Sequence, residues 1–99
     1  MPSFQIKIHD RAIQDIWDGF NYYEEKQSGL GLKFNKAVLT AFEIFKVNPF
    51  YPTRYSTFRC LPLKKFPYMI HFEVDEKDRR VDVFAVINAY LNPQDYWLR

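Results

Sequence analysis

The residues best suited to chemistry in this sequence are the basic side chains between Arg54 and Lys65. Arg59, Lys64 and Lys65 lie in this stretch, which holds no acidic residue. A guanidinium can grip a phosphate or a carboxylate with two parallel hydrogen bonds, and neighbouring lysines add positive charge. Arg59, Lys64 and Lys65 are therefore candidates for contact with a nucleic acid or with an acidic partner protein.

Two less specific interpretations of the same stretch stay open. Arg59 could pair with an acid from a neighbouring strand, Glu73 or Asp82. Lys64 and Lys65 could belong to a solvated strand edge, where lysines discourage aggregation. The net charge of the chain is only +2, so overall charge does not by itself indicate a nucleic-acid binder.

His71 is the candidate for proton transfer. Glu73 lies two residues further along the same predicted strand face, where its carboxylate could orient the imidazole. Cys60 lies on a neighbouring predicted strand, and contact between its thiol and His71 would make a nucleophile–base pair. The simpler interpretations are an exposed His–Glu pair without a special role and a packed, unreactive cysteine.

Metal and cofactor sites are not predicted. His9, His71 and Cys60 occur singly, without the spacing of zinc ligands. The three glycines of the chain do not form a phosphate-binding loop. The sequence therefore predicts neither a bound metal nor a cofactor.

A β-hairpin is predicted to position these groups. After Pro67, which cannot donate a ladder hydrogen bond and so marks a strand start, apolar and more polar side chains alternate. Residues 75–79 form a polar turn, and residues 80–87 a second strand. On the first strand the core face holds Tyr68, Ile70, Phe72 and Val74, and the opposite face holds Met69, His71 and Glu73.

Two amphipathic helices precede the hairpin, after a short strand over residues 4–9. Asp10 is predicted to be the N-cap of the first helix. Ser28-Gly29 separates the two helices, and Asn48-Pro49 ends the second, so an antiparallel helical hairpin is expected. The apolar stripe of the first helix is predicted as Ile13, Ile16, Trp17, Phe20 and Tyr23, with Gln14, Asp15 and Asp18 turned outward; that of the second is Leu30, Phe34, Ala37, Val38, Ala41, Ile44 and Phe45.

The whole chain, residues 1–99, is predicted to be one α+β domain. Residues 48–57 are predicted as a loop and residues 58–63 as a strand, placed at an edge or bulge because of Pro62. A short terminal helix is predicted with Asn92 as its cap and Pro93 at its first position. The expected order is β-α-α-β-β-β-α, with a small antiparallel sheet covered by the N-terminal helical hairpin.

Composition narrows the class of protein. The 99 residues are 47% hydrophobic, enough for a core and against disorder. The aromatic share of 19% exceeds what so small a core needs, so some aromatics are expected on a partner-binding surface. No apolar run reaches the roughly 18 residues of a membrane span, the start lacks the pattern of a signal peptide, and a lone cysteine suits a reducing compartment. The expected location is the cytoplasm.

Short matches along nearly the whole chain resemble the RelE/ParE superfamily of bacterial type II toxin–antitoxin toxins, in its ParE-like branch. Each match is only a few residues long, and their joint order and spacing carry the resemblance. They are Asp10, Ala12 and Asp15; Tyr22-Tyr23; Leu30-Gly31 and Phe34; Asn48-Pro49; Arg59, Leu61 and Phe66-Pro67-Tyr68; Val81 and Val83-Phe84-Ala85-Val86; and Asn92-Pro93, Trp97 and Arg99.

The resemblance implies a toxin that is neutralised by a cognate antitoxin, with a fold in which a helical hairpin covers a sheet. The antitoxin's acidic and apolar tail would wrap the hairpin and the sheet. ParE-like toxins poison DNA gyrase through protein contact, so we expect this activity, without catalysis, and a role in plasmid stabilisation. The aromatic anchors for the antitoxin would be Tyr22, Tyr23, Phe50, Tyr51 and Tyr55.

Two alternatives follow from the same resemblance. A RelE-like toxin cleaves mRNA on the ribosome, which here would require Lys64 and Lys65 on the RNA. Arg59, His71 or Tyr90 would then serve at the scissile phosphate. A degenerate member would bind its antitoxin without being toxic.

The end of the last strand departs from the ParE-like pattern. That pattern has a His and an Arg where this chain has Asn88 and Leu91. Neither Asn nor Leu can exchange a proton near neutral pH or neutralise a phosphate. The departure argues against RNA cleavage and leaves the degenerate alternative open.

Overall fold

The computed structural model describes residues 3–92 of the chain. Within that range two helices and five strands follow one another, and the helical hairpin precedes the strand hairpin as predicted. Their bounds are β1 Gln5–Ile8, α1 Asp10–Lys26, α2 Leu30–Val47, β2 Thr53–Tyr55, β3 Phe58–Pro62, β4 Tyr68–Asp75 and β5 Arg80–Asn88.

The strands of the described range form one mixed sheet in the order β1-β5-β4-β3-β2. The pairs β5–β4, β4–β3 and β3–β2 are antiparallel, but β1 runs parallel to β5, with Gln5 opposite Arg80. The prediction of a wholly antiparallel sheet was therefore wrong at this edge. Parallel neighbours are joined by a long crossover and not by a local turn, so no short sequence pattern reveals the pairing.

The segment predicted as a loop, residues 48–57, contains the edge strand β2, which corrects that prediction. Thr53 pairs with Arg59 and Tyr55 pairs with Phe58. Only two residues, Ser56 and Thr57, separate β2 from β3, and Ser56 has a positive φ of 48°. Hairpin turns of this length are usually recognised by glycine or asparagine, which this turn lacks.

The turn between the helices is closed by a side chain from α1. Gly29 has a φ of 91°, a left-handed conformation, and α2 begins directly after it. The backbone N–H groups of Gly29 and Gly31 donate to the Glu24 carboxylate at 2.9 to 3.1 Å. An acidic group here satisfies free N–H groups and complements the helix dipole. The predicted break at Ser28-Gly29 is confirmed.

The two predicted helix boundaries at Asp10 and Asn48 differ in outcome. Asp10 is the first helical residue of α1, and His9 occupies the N-cap without a side-chain hydrogen bond, so the predicted cap was wrong. Asn48 is the C-cap residue of α2, as the Asn-Pro pair predicted.

The buried face of α1 differs from the predicted one. Ile13 and Trp17 are exposed, whereas Asp15, predicted to turn outward, is buried. An aspartate and a glycine on the core side do not register in a hydrophobic pattern, so the pattern wrongly included Ile13 and Trp17. Ile16 and Tyr23, which it also selected, do pack in the core. The buried residues of α1 are Ala12, Asp15, Gly19 and Tyr23.

The core lies between the helical hairpin and one face of the sheet. The predicted core face of β4 is confirmed, since Ile70 and Phe72 are fully buried, and the ring of Phe72 lies 4.2 Å from that of Phe45 in α2. In α2 the pattern missed Phe42, which is buried, and included Ile44, which is exposed. The buried residues of α2 are Gly31, Phe34, Val38, Ala41, Phe42 and Phe45.

A β-bulge interrupts β5. Phe72 of β4 is opposite Val83, and the next pair is His71 opposite Ala85, so Phe84 is the extra residue. Bulges of this kind bend a strand and increase its twist.

Beyond the end of β1, the Asp15 side chain binds a backbone N–H group of β5. The register of β1 stops at Ile8 opposite Val83, so within residues 3–92 no strand pairs with the following part of β5 on that side. The Asp15 carboxylate, from α1, accepts a hydrogen bond from the Val86 N–H at 3.0 Å. A helix side chain thus takes the place of a neighbouring strand.

The predicted terminal helix and the matches at Pro93, Trp97 and Arg99 lie outside the described residues. In the described range, neither helix is both long enough and apolar enough to cross a membrane.

Candidate functional site

A groove runs between one side of α2 and β3 with the loop that follows it. Its volume is about 990 Å³. The floor is apolar, formed on the helix side by Ala37 and Ala41 and on the sheet side by Leu61, Leu63 and Phe66. We call it the lysine groove, because of the residues at its rim.

Four lysines line this groove and, among the described residues that line it, no acid does. Lys33 and Lys36 come from α2, and Lys64 and Lys65 from the loop between β3 and β4. The loop is closed by a hydrogen bond from the Leu63 N–H to the Tyr68 carbonyl at 2.9 Å, and Lys65 adopts a left-handed φ of 70°. The turn therefore fixes two positive charges opposite two from the helix, and the groove attracts acidic groups.

The sequence identified only one wall of this charged groove. Lys64 and Lys65 were predicted to contact a partner, and both line the groove. Lys33 and Lys36 were missed, because a prediction that reads the chain locally does not bring α2 beside the β3–β4 loop. The sequence does contain a signal for Lys33, because its spacing places it on the same side of the helix as the apolar Ala37 and Ile44.

Arg59 does not line the lysine groove but supports one end of it. Its Nη1 donates to the Tyr51 carbonyl at 2.5 Å, and its guanidinium carbon lies 5.7 Å from the centre of the Phe50 ring. Tyr51 itself lines the groove. Neither predicted acidic partner pairs with Arg59, because Glu73 accepts from Thr57 and Asp82 from Arg80.

Asp82 belongs to an ion cluster on the sheet face opposite the helices. Arg80 Nε donates to it at 3.0 Å, and His9 Nε2 lies 3.2 Å away. Burial opposes ionisation of this carboxyl, but hydrogen bonds from Arg80 and His9 hold its pKa below the usual range. Arg80 also pairs with Asp75 and Asp78, so it ties the β4–β5 turn to the sheet.

His71 and Cys60 meet on the same sheet face, as their predicted strands allowed. They are directly paired in the β3–β4 register, with 3.3 Å between Cys60 Sγ and His71 Nδ1. The Tyr55 hydroxyl lies 2.6 Å from the same nitrogen. Glu73 does not orient the imidazole, because its carboxylate is bound to Thr57.

Burial keeps both partners of this pair neutral. It lowers the pKa of His71 to about 4, with a smaller contribution from the positive charge of Arg54. It raises the pKa of the Cys60 thiol. A neutral thiol beside a neutral imidazole is not an activated nucleophile. The arrangement instead ties the edge strand β2 to β4, through the Tyr55 hydroxyl.

His71 makes folding stability depend on pH. Its pKa is about 4 in the folded chain and 6.5 without the fold, so the unfolded chain takes up the proton first. The contribution of His71 to the free energy of unfolding is therefore retained above pH 6.5, and it is lost as the pH falls from there towards 4. Between about pH 7 and about pH 5 the loss should be roughly 2 kcal/mol. Urea unfolding of the wild type and of His71→Gln at both pH values measures it.

The comparison with His71→Gln separates this contribution from that of the carboxylates. Glutamine is neutral at both pH values. Between the higher and the lower pH, the stability of the variant should therefore fall by about 2 kcal/mol less than that of the wild type. Equal losses in the two proteins would show that His71 is not protonated on unfolding in this range.

The five predicted aromatic anchors are spread over several surfaces. Tyr23 and Tyr51 line the lysine groove. Tyr22 is exposed beside a smaller pocket at the end of β5, and Phe50 packs edge-on against Phe4. Tyr55 lies on the opposite sheet face with His71. The structure brings two of the five to the groove.

The other predicted catalytic position, Tyr90, is 88% exposed. Its backbone N–H donates to Asn88 Oδ1 at 2.9 Å. Asn88 and Leu91 line the small pocket at the end of β5 together with Asp18. Over residues 3–92, no cluster of three or more His, Cys, Asp or Glu side chains could hold a metal ion.

Comparisons with known proteins identify the fold. No family model and no curated protein matches this sequence. Among solved structures, the chain is similar to the chromosomal ParDE TA system from P. aeruginosa, with a TM-score of 0.74 and 14% identity over 86% of this chain and 95% of that one.

Two further structures share the fold. For the archaeal RelE-RelB complex from Pyrococcus horikoshii OT3, the TM-score is 0.58 at 11% identity over 93% of this chain and 100% of that one. For the intact E. coli RelBE toxin-antitoxin complex, the TM-score is 0.52 at 14% identity over 89% of this chain and 99% of that one. The predicted α+β fold of the RelE/ParE type is confirmed.

Proposed function

We propose that this chain is the toxin of a type II toxin–antitoxin module, neutralised by a cognate antitoxin, and that it inhibits DNA gyrase as ParE-like toxins do. The observation that carries the proposal is the likeness to the P. aeruginosa ParDE structure, which extends over 86% of the chain at a TM-score of 0.74. The archaeal RelE-RelB and E. coli RelBE structures, also complexes, support an antitoxin as the partner.

The lysine groove is the surface that best suits the antitoxin. An amphipathic helix binds through an apolar stripe laid into a hydrophobic groove, with charged side chains along the stripe. Here the floor is apolar and a pair of lysines stands on each wall. Acidic residues on both sides of an apolar stripe would complement it. Tyr51 would act as an anchor, and Arg59 would hold it in place. Tyr23 is buried and would contribute only to the floor of the groove.

Gyrase inhibition through protein contact is favoured over RNA cleavage by the state of the candidate catalytic groups. His71 is buried and neutral, and Arg59 is engaged with the Tyr51 carbonyl. Asn88 and Leu91 replace the basic residues of the ParE-like pattern. RNA cleavage in the RelE manner remains the second candidate, because Lys64 and Lys65 are exposed side by side.

Growth of a bacterial host under tightly controlled induction tests the proposal. We expect arrest, and relief of the arrest when the adjacent small open reading frame is expressed as well. Loss of supercoiling by purified gyrase would then support the ParE-like activity, whereas cleaved transcripts would support the RelE-like one. Soluble protein without any arrest would contradict toxicity and favour the degenerate alternative.

Charge reversal in the groove tests where the antitoxin binds. The double variant Lys64→Glu, Lys65→Glu should bind the neighbour's product at least about 30-fold more weakly, because acids would then face acids. The double variant Lys7→Glu, Lys77→Glu changes the net charge by the same amount at two exposed positions outside the groove, so it is the matched control and should bind as the wild type does. Equal weakening by both variants would indicate a general charge effect and not a groove contact.

A further inference from the structure

The positive charge of the lysine groove lies at one of its two ends. Lys33 and Lys36 belong to the first two turns of α2. The β3–β4 loop, which carries the other two lysines, packs beside the same turns, since the ring centre of Phe66 lies 5.4 Å from that of Phe34. All four lysines are therefore at the end of the groove next to the start of α2.

The other end of the groove is apolar. Tyr51 packs there against the last turns of α2, and Ile44 lines the groove from the helix. Among the described residues that line this end, none carries a charge. Lys46 and Glu43, in the same part of the helix, form an ion pair at 2.6 Å with no net charge. The Arg59 guanidinium is bound to the Tyr51 carbonyl and does not line the groove.

The edge of β3 along the groove is unsuited to the addition of a strand. Successive backbone nitrogens of a strand point to opposite sides, and the Leu63 N–H points to Tyr68 at the start of β4, where it donates to the carbonyl. The nitrogen of Pro62 therefore faces the groove, and it has no hydrogen to donate. A strand added here would lack that ladder hydrogen bond.

The opposite wall is suited to a helix. In the middle of the groove α2 presents only short side chains, which allow the axis of a second helix to come close. They are Ala37, Thr40 and Ala41. The groove follows α2 from Lys33 to Ile44, a length of roughly 16 Å or three helical turns.

We propose that the antitoxin segment in the lysine groove is a helix of about three turns that is acidic at one end only. Its acidic end lies between the four lysines, and its apolar end lies against Ile44 and Tyr51. A carboxylate at the apolar end would lose water without gaining a cationic partner, which costs free energy. The inference rests on the proposed function for the identity of the occupant as an antitoxin.

Two synthetic peptides of identical composition test the proposal. Each has blocked termini, an apolar stripe at helical spacing and the same number of glutamates. In the one-ended peptide all the glutamates lie in the last two turns, whereas in the two-ended peptide they are shared equally between the first and the last turn. Fluorescence anisotropy should show that the wild-type chain binds the one-ended peptide roughly 10-fold more tightly.

Ile44→Lys should remove this preference. The new lysine would attract the glutamates that the two-ended peptide places at the apolar end, and it would weaken the contact with the one-ended peptide. The ratio of the two affinities should therefore fall to about threefold or less. Differences in helix content between the peptides cancel, because both peptides are measured on both proteins.

Leu39→Lys is the matched control. Leu39 and Ile44 are both exposed in α2, so both variants should keep the wild-type circular dichroism spectrum. Leu39 lies outside the lysine groove, so its variant adds the same charge and should keep the roughly 10-fold ratio.

Three results would each overturn the proposal: equal affinities of the wild type for the two peptides, no binding of either at millimolar concentration, or a ratio that Ile44→Lys leaves unchanged. These results are independent of toxicity. Growth arrest that the neighbour relieves, together with equal peptide affinities, would overturn only the one-ended charge of the segment. Peptide preference without growth arrest would contradict only the proposed function.

Discussion

Replacing Asp15 by alanine is expected to lower the free energy of unfolding by about 3 kcal/mol. The Asp15 side chain is 1% exposed and accepts the Val86 N–H at 3.0 Å. Alanine would leave that buried donor unsatisfied, which costs roughly 1–3 kcal/mol, and would open a cavity beside it. The ion pair between Arg11 Nε and the carboxylate, 3.6 Å apart, would also be lost. Urea unfolding followed by circular dichroism at neutral pH measures the loss.

Two variants separate the hydrogen bond from other effects of the substitution. Asp15→Asn keeps an oxygen of nearly the same size and position as an acceptor. Its loss in the free energy of unfolding should therefore be smaller than that of Asp15→Ala by at least about 1 kcal/mol. Asp18→Ala removes an exposed acid from the same helix and should change stability by no more than about 0.5 kcal/mol. If Asp15→Ala were as stable as Asp18→Ala, the Val86 amide would not depend on this carboxylate.

Replacing Gly19 by valine is expected to destabilise the chain by about 3 kcal/mol. A Cβ at this position would lie 2.5 Å from Phe34 Cζ, far inside van der Waals contact. Phe34 is fully buried and has the rings of Tyr23, Phe66 and Tyr68 around it, with centroids 5.1 to 5.5 Å away. The ring therefore cannot move aside without disturbing its neighbours, and α1 would have to move away from α2.

Valine at Asn21 is the control for this variant. Asn21 is exposed in the same helix, so Asn21→Val tests only the weak helix preference of a β-branched residue, within about 0.5 kcal/mol. Thermal unfolding of both variants gives the comparison. A Gly19→Val protein with the melting temperature of Asn21→Val would mean that the contact with Phe34 relaxes at no cost.

The parts of the fold that could be predicted are those set by local patterns. Alternation placed Ile70 and Phe72 on the core face of β4, Ser28-Gly29 separated the two helices, and Asn48 ended the second, as expected. The errors have a common physical cause. The parallel pairing of β1 with β5 and the burial of Asp15 depend on contacts between segments far apart in the sequence.

The candidate site could be predicted only in part, because local patterns reveal some of its residues and contacts between distant segments decide the others. Lys64 and Lys65 stand out in the sequence because no acid is near them, and they line the groove. The contact between Cys60 and His71 followed from adjacent strands. Arg59 could not be placed, because its partner is a backbone carbonyl, which any residue provides.

The parallel strand at the sheet edge has a consequence for synthesis of the chain on the ribosome. β1 is made first, but its partner is β5, with Gln5 opposite Arg80. The sheet therefore cannot close until Arg80 to Val83 has emerged, and before then Ile6 and Ile8 have no strand to pair with. Such distant pairing is slow, since a long loop must close first. A nascent chain interrupted before β5 would lack the finished surface, so any activity that depends on the sheet begins only after most of the chain has been translated.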